Sequence, residues 1–143
     1  MNLNYRLRLA VFAFVCLGFC NCTQKKQAES DPQISVIRNV SVVDAKAMLD
    51  KDSKIIVIDV RTREEYTGPL GHITDSKLKP VQQIENWVSE IDHLKEKDIM
   101  LICRRGRRSL RAANFLKERG FQNVINIEGG MIAWNENRFP VEK

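Results

Sequence analysis

Residues 99–109 read IMLICRRGRRS, in which a continuous apolar run is followed by a short loop with one glycine and by the start of a helical pattern. Two further apolar runs of the same kind occupy residues 55–58 and 124–127. Apolar runs without polar alternation are typical of strands that are buried on both faces of a parallel sheet. Residues 34–37 form a weaker strand candidate, and a short strand is expected near residues 77–79.

Between these runs lie four segments with helical spacing or a helix-start signal, at residues 41–49, 62–66, 81–91 and 109–119. Ser41 and Thr62 begin the first two as helix caps, because an acidic residue follows each of them three positions later. Gly120 ends the last segment as a C-terminal cap. Strands that alternate with helices predict an α/β fold, with a mainly parallel central sheet of about five strands and helices on both faces.

The composition is that of a globular protein. The chain has 143 residues, of which 43% are hydrophobic and 29% are charged, and this excludes a largely disordered chain. We expect one folded domain over residues 36–143, and a monomer. The formal net charge of +5 is too mild to require a nucleic-acid partner, and none is expected.

The N-terminus has the pattern of a secretory signal. Two arginines precede an uncharged apolar run at residues 9–20. This run is too short to span a bilayer, which requires about 20 apolar residues. The end of this run, LGFCNCT at residues 17–23, resembles the lipobox of bacterial lipoproteins. That resemblance implies a lipid on Cys22, which a compact residue precedes, with Cys20 as the alternative. A plain secretion signal and an uncleaved anchor are the other interpretations.

Residues 22–35 are polar and lack apolar periodicity, which predicts a tether. We therefore expect a signal peptide over residues 1–21 and a folded domain that a lipid anchor holds at a membrane. The expected location is outside the cytoplasm, in the bacterial periplasm or cell envelope. With Cys22 lipidated, Cys103 is the only free thiol of the mature chain, and no internal disulfide can form.

Cys103 follows an apolar strand, at the edge of the sheet where open α/β proteins bind ligands. The N–H groups of a strand-to-helix loop and the helix N-terminus favour negative charge, and Gly106 allows a tight turn. Five arginines between residues 104 and 111 add positive charge. Positive neighbours lower the pKa of a thiol, so Cys103 is predicted to be a nucleophilic thiolate acting on an anionic substrate. The alternatives are that Cys103 is an inert buried thiol, that the arginines form a solvated helix start, and that the arginines form a patch that binds acidic lipid.

The residues that surround this loop have simpler expected roles. Asp59 ends a buried strand, where an unpaired carboxylate is costly, so we expect Arg61 or backbone N–H groups to bond with it. Arg108 is expected to brace the loop, and His72 to fix a turn by hydrogen bonding. Trp134 is expected in the core or at its rim.

Four motifs, taken in order over residues 36–140, resemble those of the rhodanese (sulfurtransferase) family. They are IDVR at 58–61 with EEY at 64–66, GHI at 71–73, CRRGRR at 103–108, and GG at 129–130 with W at 134. The family commonly continues GHI with PGA, whereas TDS follows here. Phosphatases of this fold have one more residue in the loop after the cysteine, and usually a histidine where Ile102 stands. The loop length therefore favours sulfur transfer.

The resemblance implies a double-displacement reaction. Cys103 would take sulfane sulfur from thiosulfate or a similar small anionic donor as a persulfide, and would pass it to a thiol or to cyanide. The loop residues that would bind substrate and persulfide are Arg104, Arg105, Gly106, Arg107, Arg108 and Ser109, with Arg104 and Arg105 meeting the donor. Asp59, Arg61 and His72 would support the site, and no metal or organic cofactor is required. A non-enzymatic sulfane-sulfur carrier and an anion-binding module are the alternative functions.

Overall fold

A parallel sheet of five strands runs through residues 37–143, the range that the computed structural model describes, in the order β1-β5-β4-β2-β3. The strands are β1 (Arg38–Val40), β2 (Ile56–Asp59), β3 (Lys77–Leu78), β4 (Asp98–Ile102) and β5 (Asn123–Ile127). The predicted α/β fold with a parallel central sheet is confirmed. The predicted signal peptide, tether and lipidated cysteine all lie outside the described residues.

The strand candidate at residues 34–37 lies outside the described residues except for Ile37. Ile37 precedes β1, which pairs through Arg38–Val40 with residues 125–127. Val40 is the only residue of β1 that is buried. Such an edge strand has almost no apolar pattern from which its position can be predicted.

Helices connect the strands. They are α1 (Val42–Lys51), α2 (Arg63–Tyr66), α3 (Ile84–Trp87), α4 (Arg107–Glu118) and α5 (Gly130–Glu136). Ser41 caps α1 by accepting a hydrogen bond from the Asp44 N–H at 3.1 Å, and Thr62 caps α2 in a reciprocal box with Glu65. Both predicted helix starts are therefore confirmed.

Two helix predictions need correction. The segment at 81–91 is not one helix, because α3 lies between 3₁₀ turns at Val81–Gln83 and Val88–Leu94. The Trp87 indole donates to the Pro80 carbonyl at 2.9 Å, and the Val81 N–H donates to Val60. The second bond ties the start of the segment to the residue that follows β2. The second correction is that α4 begins at Arg107 rather than at residue 109, so two arginines lie in its first turn.

Apolar side chains fill both faces of the sheet. On one face Ile58 and Leu101 pack in the same cluster as Leu116 of α4. On the other face Val57 and Met100 belong to the cluster of α1 and α5. Neighbouring residues of a strand point to opposite faces, so these continuous runs fill two cores. Each buried side chain of this size stabilises the fold by about 1.5–3 kcal/mol.

The sheet brings the loops after β2 and β4 together. Asp59 and Ile102 are register partners at the carboxyl ends of their strands, and the Val60 N–H donates to the Ile102 carbonyl at 2.9 Å. The residues that follow each strand are therefore neighbours in space. None of the helices between residues 37 and 143 has both the length and the apolar character needed to cross a membrane.

Candidate active site

The loop after β4 curls around the sulfur of Cys103. The Gly106 N–H donates to Sγ at 3.1 Å, and the Ser109 hydroxyl lies 3.4 Å from Sγ and 3.0 Å from the Gly106 carbonyl. Because a hydroxyl has one proton, Ser109 donates to one of these two acceptors at a time. The sulfur thus faces a backbone donor and a hydroxyl, as expected for a thiol that carries negative charge.

Gly106 makes this curl possible. Its φ is +90°, in the left-handed region that residues with a Cβ rarely adopt. A Cβ here would also lie 3.2 Å from the Gly129 nitrogen and 3.3 Å from the Ile127 carbonyl oxygen. The predicted need for glycine is met by both its conformation and its close packing.

The environment of Cys103 lowers the pKa of its thiol below the ordinary value of 9.0. Burial by itself raises this pKa, but hydrogen bonds from the Ser109 hydroxyl and from the N–H groups of Ser109, Arg105 and Gly106 outweigh it. The sequence predicted the lowering from positive neighbours and from the helix N-terminus. The loop's own donors have the larger effect.

Cys103 is 1% exposed and belongs to the apolar cluster on the α4 face of the sheet, yet it also lines a cavity whose other lining residues are charged. Cys103 forms the floor of a cavity of about 720 Å³, whose other lining residues are Arg104, Arg105, Arg107, Arg108 and Arg111. A small anion that enters this cavity reaches the sulfur between guanidinium groups.

Arg108 differs from the other arginines that line the cavity because it has an acidic partner. Its two terminal nitrogens donate to the two carboxylate oxygens of Glu65, at 2.6 and 2.7 Å. The hydrogen bond to Glu65 raises the pKa of Arg108, and the same bond lowers the pKa of Glu65. Arg108 therefore braces the start of α4 against α2, as the sequence suggested. Glu65 was missed as a site residue, although its capping box and the EEY motif marked the position.

Asp59 and Arg61 form a fully buried ion pair at the end of β2. Arg61 donates to both Asp59 carboxylate oxygens at 2.6–3.0 Å, and to the carbonyl oxygens of Glu65 and Gly71 at 2.9 and 2.7 Å. A buried pair is stable only when its remaining donors are satisfied, and here the guanidinium joins β2, α2 and the turn before residue 72. Both residues support the site from beneath and do not line the Cys103 cavity.

His72 supports the turn and lies away from the sulfur. Its backbone exchanges hydrogen bonds with Glu142 at 2.8 and 2.9 Å, and its ring stacks on Tyr66 with centroids 3.7 Å apart. It does not line the Cys103 cavity. These contacts match its predicted role as a turn-fixing residue.

The start of α5 holds the outer side of the loop. The N–H groups of Met131 and Ile132 donate to the carbonyls of Cys103 and Arg104, at 2.8 and 3.1 Å. Gly130 allows this approach, because a Cβ there would lie 2.3 Å from the Cys103 carbonyl oxygen. Two loop carbonyls are thus bound by α5, while loop N–H groups bond the sulfur. The GG motif at residues 129–130 marks these glycines in the sequence but does not reveal this backbone contact.

Comparison with known proteins fits this geometry. Residues 41–137 match the sequence model of the rhodanese-like domain. The chain belongs to the rhodanese-like family. A sulfurtransferase of Allochromatium vinosum is 31% identical over 105 residues, covering 71% of this chain and 94% of that protein. The thiosulfate sulfurtransferase GlpE of Pseudoalteromonas translucida is 29% identical over 97 residues, covering 68% of this chain and 88% of that protein.

Solved rhodanese structures share the fold. The crystal structure of a rhodanese-like domain protein from Staphylococcus aureus superposes with a TM-score of 0.64 at 26% identity, covering 75% of this chain and 100% of that one. Relatives named sulfurtransferase support a sulfur-transfer role at the level of the family. Among residues 37–143, His, Cys, Asp and Glu side chains form no group of three or more that could hold a metal ion.

Proposed function

We propose that this rhodanese-like protein transfers sulfane sulfur through a persulfide on Cys103, with thiosulfate or a similar anion as donor. The observation that carries the proposal is the position of Sγ, which accepts a 3.1 Å hydrogen bond from the Gly106 N–H at the floor of an arginine-lined cavity. A thiolate is the nucleophilic form of cysteine, and donors that stabilise it also stabilise the charged end of a persulfide.

The reaction has two steps. The Cys103 thiolate attacks the outer sulfur of thiosulfate, the donor's S–S bond breaks, and sulfite leaves with the electron pair. The enzyme now carries a Cys103 persulfide anion. An acceptor thiolate or cyanide then attacks the outer sulfur and leaves as a persulfide or as thiocyanate, while Cys103 regains its electron pair. Two displacements of this kind replace one difficult transfer.

The arginines divide the remaining work. Arg108 is held by Glu65 and fixes the loop, whereas Arg104 and Arg105 are exposed at the cavity and meet the donor. Their charges raise the local concentration of a dianion. Asp59 and Arg61 keep the end of β2 and the following turn in place.

Intact mass spectrometry tests the persulfide. Incubation of the full chain with thiosulfate is expected to add one sulfur atom, and addition of cyanide is expected to remove it and produce thiocyanate. Cys103→Ser is the matched control, because it keeps the size of the side chain and should show neither change. Absence of added sulfur in the wild type would contradict the proposal. Sulfur gain from persulfide donors but not from thiosulfate would favour the sulfur-carrier function instead.

We also propose that the protein is exported and anchored to the membrane through a lipid on Cys22. The support is the basic start, the short apolar run and the lipobox-like residues 17–23. Labelling of wild type and Cys22→Ala with a radioactive fatty acid in a bacterial host is the test. Label that is lost in Cys22→Ala supports the anchor, and equal label in both chains would contradict it.

A further inference from the structure

The mouth of the Cys103 cavity carries more positive charge than a small donor requires. Arg104, Arg105, Arg107 and Arg111 are exposed, and none of them forms a salt bridge within the described part of the chain. We call these four residues the arginine collar. A thiosulfate ion has five heavy atoms and displaces on the order of 150 Å³ at the volume per atom of a water molecule. The cavity has about 720 Å³, so the donor leaves most of it free.

The collar continues onto the outer surface of α4. Arg107, Leu110 and Arg111 are spaced three and four residues apart and therefore share one face of the helix. Leu110 is 37% exposed and, with Val43, is one of two large apolar side chains exposed among residues 37–143. Arginine is enriched at protein interfaces, and a positive surface is complementary to a partner with acidic groups, with Leu110 adding an apolar contact.

The charges on this face oppose the local physics of the helix. The first turn of α4 contains no acidic residue, although the positive end of a helix favours acids. Arg107 adds to this unfavourable charge and lacks a carboxylate partner within residues 37–143. Local conflicts of this kind are expected where a binding site uses the charge.

We infer that the arginine collar, with Leu110, binds a protruding acidic segment of a partner protein whose thiol accepts the sulfur from Cys103. The inference rests on the proposed function. The collar surrounds the reactive sulfur, so any large molecule bound there covers Cys103. A lipid or nucleic-acid surface has no thiol and would block transfer, whereas a thiol-bearing segment completes it. The partner's thiol first loses its proton to solvent. The resulting thiolate attacks the outer sulfur, the S–S bond of the persulfide breaks, and Cys103 keeps the electron pair.

Transfer from preformed persulfide to short thiol peptides tests the inference. The full chain is first loaded with sulfur. Mass spectrometry then measures the sulfur gained by two peptides with blocked ends, Glu-Glu-Cys-Glu-Glu and Lys-Lys-Cys-Lys-Lys. The same measurement with Cys103→Ser gives the background transfer. The variant is Arg111→Glu. Its matched control is Arg119→Glu, which makes the same charge change about 12 Å further along the axis of α4. For each peptide, the transfer rate of the variant is divided by that of the wild type. This ratio removes the difference in intrinsic reactivity between the two peptide thiols.

Arg111→Glu is expected to lower transfer to the acidic peptide by about tenfold at low salt and to raise transfer to the lysine peptide, since steering of charged partners changes rates by 10- to 1,000-fold. Arg119→Glu is expected to leave both rates near those of the wild type. In about 1 M salt the preference for the acidic peptide should disappear, because the screening length falls to about 3 Å.

Three outcomes would overturn the inference. The first is equal transfer to both peptides by the wild type, and the second is an equal effect of the two variants. The third is that Arg111→Glu weakens binding to phosphatidylglycerol vesicles or to an RNA oligomer but leaves the peptide rates unchanged. Cyanide is added to the same loaded protein as a reference. If cyanide removes the sulfur while the peptides show no preference for charge, only this inference fails. If the chain cannot be loaded, the proposed function fails.

Discussion

Replacement of Gly130 by alanine is the sharpest perturbation of the Cys103 loop. The new Cβ would lie 2.3 Å from the Cys103 carbonyl oxygen and 2.6 Å from the Arg104 carbonyl carbon, where ordinary contact begins at 3.4 Å. Opening the shorter gap to ordinary contact moves the loop backbone by about 1.1 Å. A misplacement of about 1 Å in a catalytic group can cost about 100-fold in rate, and we expect a loss of that order in thiocyanate formation.

Gly120→Ala provides the matched control. Gly120 also has a left-handed backbone, with φ +88° against +59° for Gly130, but a Cβ there would meet nothing within 4 Å. Each substitution costs about 1–2 kcal/mol for the left-handed conformation. Both variants should therefore lose stability in urea unfolding, and only Gly130→Ala should also lose activity when assayed well below its unfolding transition.

The result that would refute this reasoning is wild-type kcat/KM in folded Gly130→Ala. An equal loss of activity in Gly120→Ala would refute it too, because the loss would then follow from backbone strain rather than from displacement of the loop. Urea midpoints measured on the same samples separate loss of folded protein from loss of rate.

Three further predictions concern charge around the sulfur. Ser109→Ala should raise the pKa of Cys103, because it removes a hydrogen bond that favours the thiolate, and the midpoint of the alkylation rate against pH measures this. The substitution of exposed Ser89 by alanine should leave that midpoint unchanged. Glu65→Gln should lower the free energy of unfolding by about 1–3 kcal/mol in urea titrations, since it weakens a bidentate charged pair, while Glu64→Gln should have little effect. The difference in free energy of unfolding between wild type and Cys103→Ser should increase as pH rises through the lowered thiol pKa, and it should level off above about pH 9. The same contribution should be lost as pH falls. A difference that does not change with pH would contradict the lowered pKa.

The sequence was most informative where structure depends on neighbours along the chain. The apolar run before Cys103 and the glycine at 106 predicted strand, loop and helix, and both helix caps depend on residues three apart. The spacing of two residues between Asp59 and Arg61 likewise made their pairing predictable. In each case the partners are local, so the pattern contains the information.

Contacts between distant residues were not predictable in this way. Glu65 binds Arg108 across 43 positions, and nothing near either residue indicates the other as its partner. Gly130 acts through a backbone approach to Cys103, which no side-chain pattern reveals. The sequence predicted that the N–H groups of the loop favour negative charge, but it does not show which of them bond the sulfur of Cys103. The edge strand at Arg38–Val40 was not predicted, because it buries only one residue.

Titration of the Cys103 thiol is the most direct experiment. Thiolate absorbance is recorded against pH for wild type and for Cys103→Ser, and the difference removes the signals of the three N-terminal cysteines. Hydrogen bonds from the loop predict a midpoint below 9.0. A midpoint at or above 9.0 would mean that burial outweighs those bonds, and Cys103 would then lack the negative charge on which sulfur transfer depends.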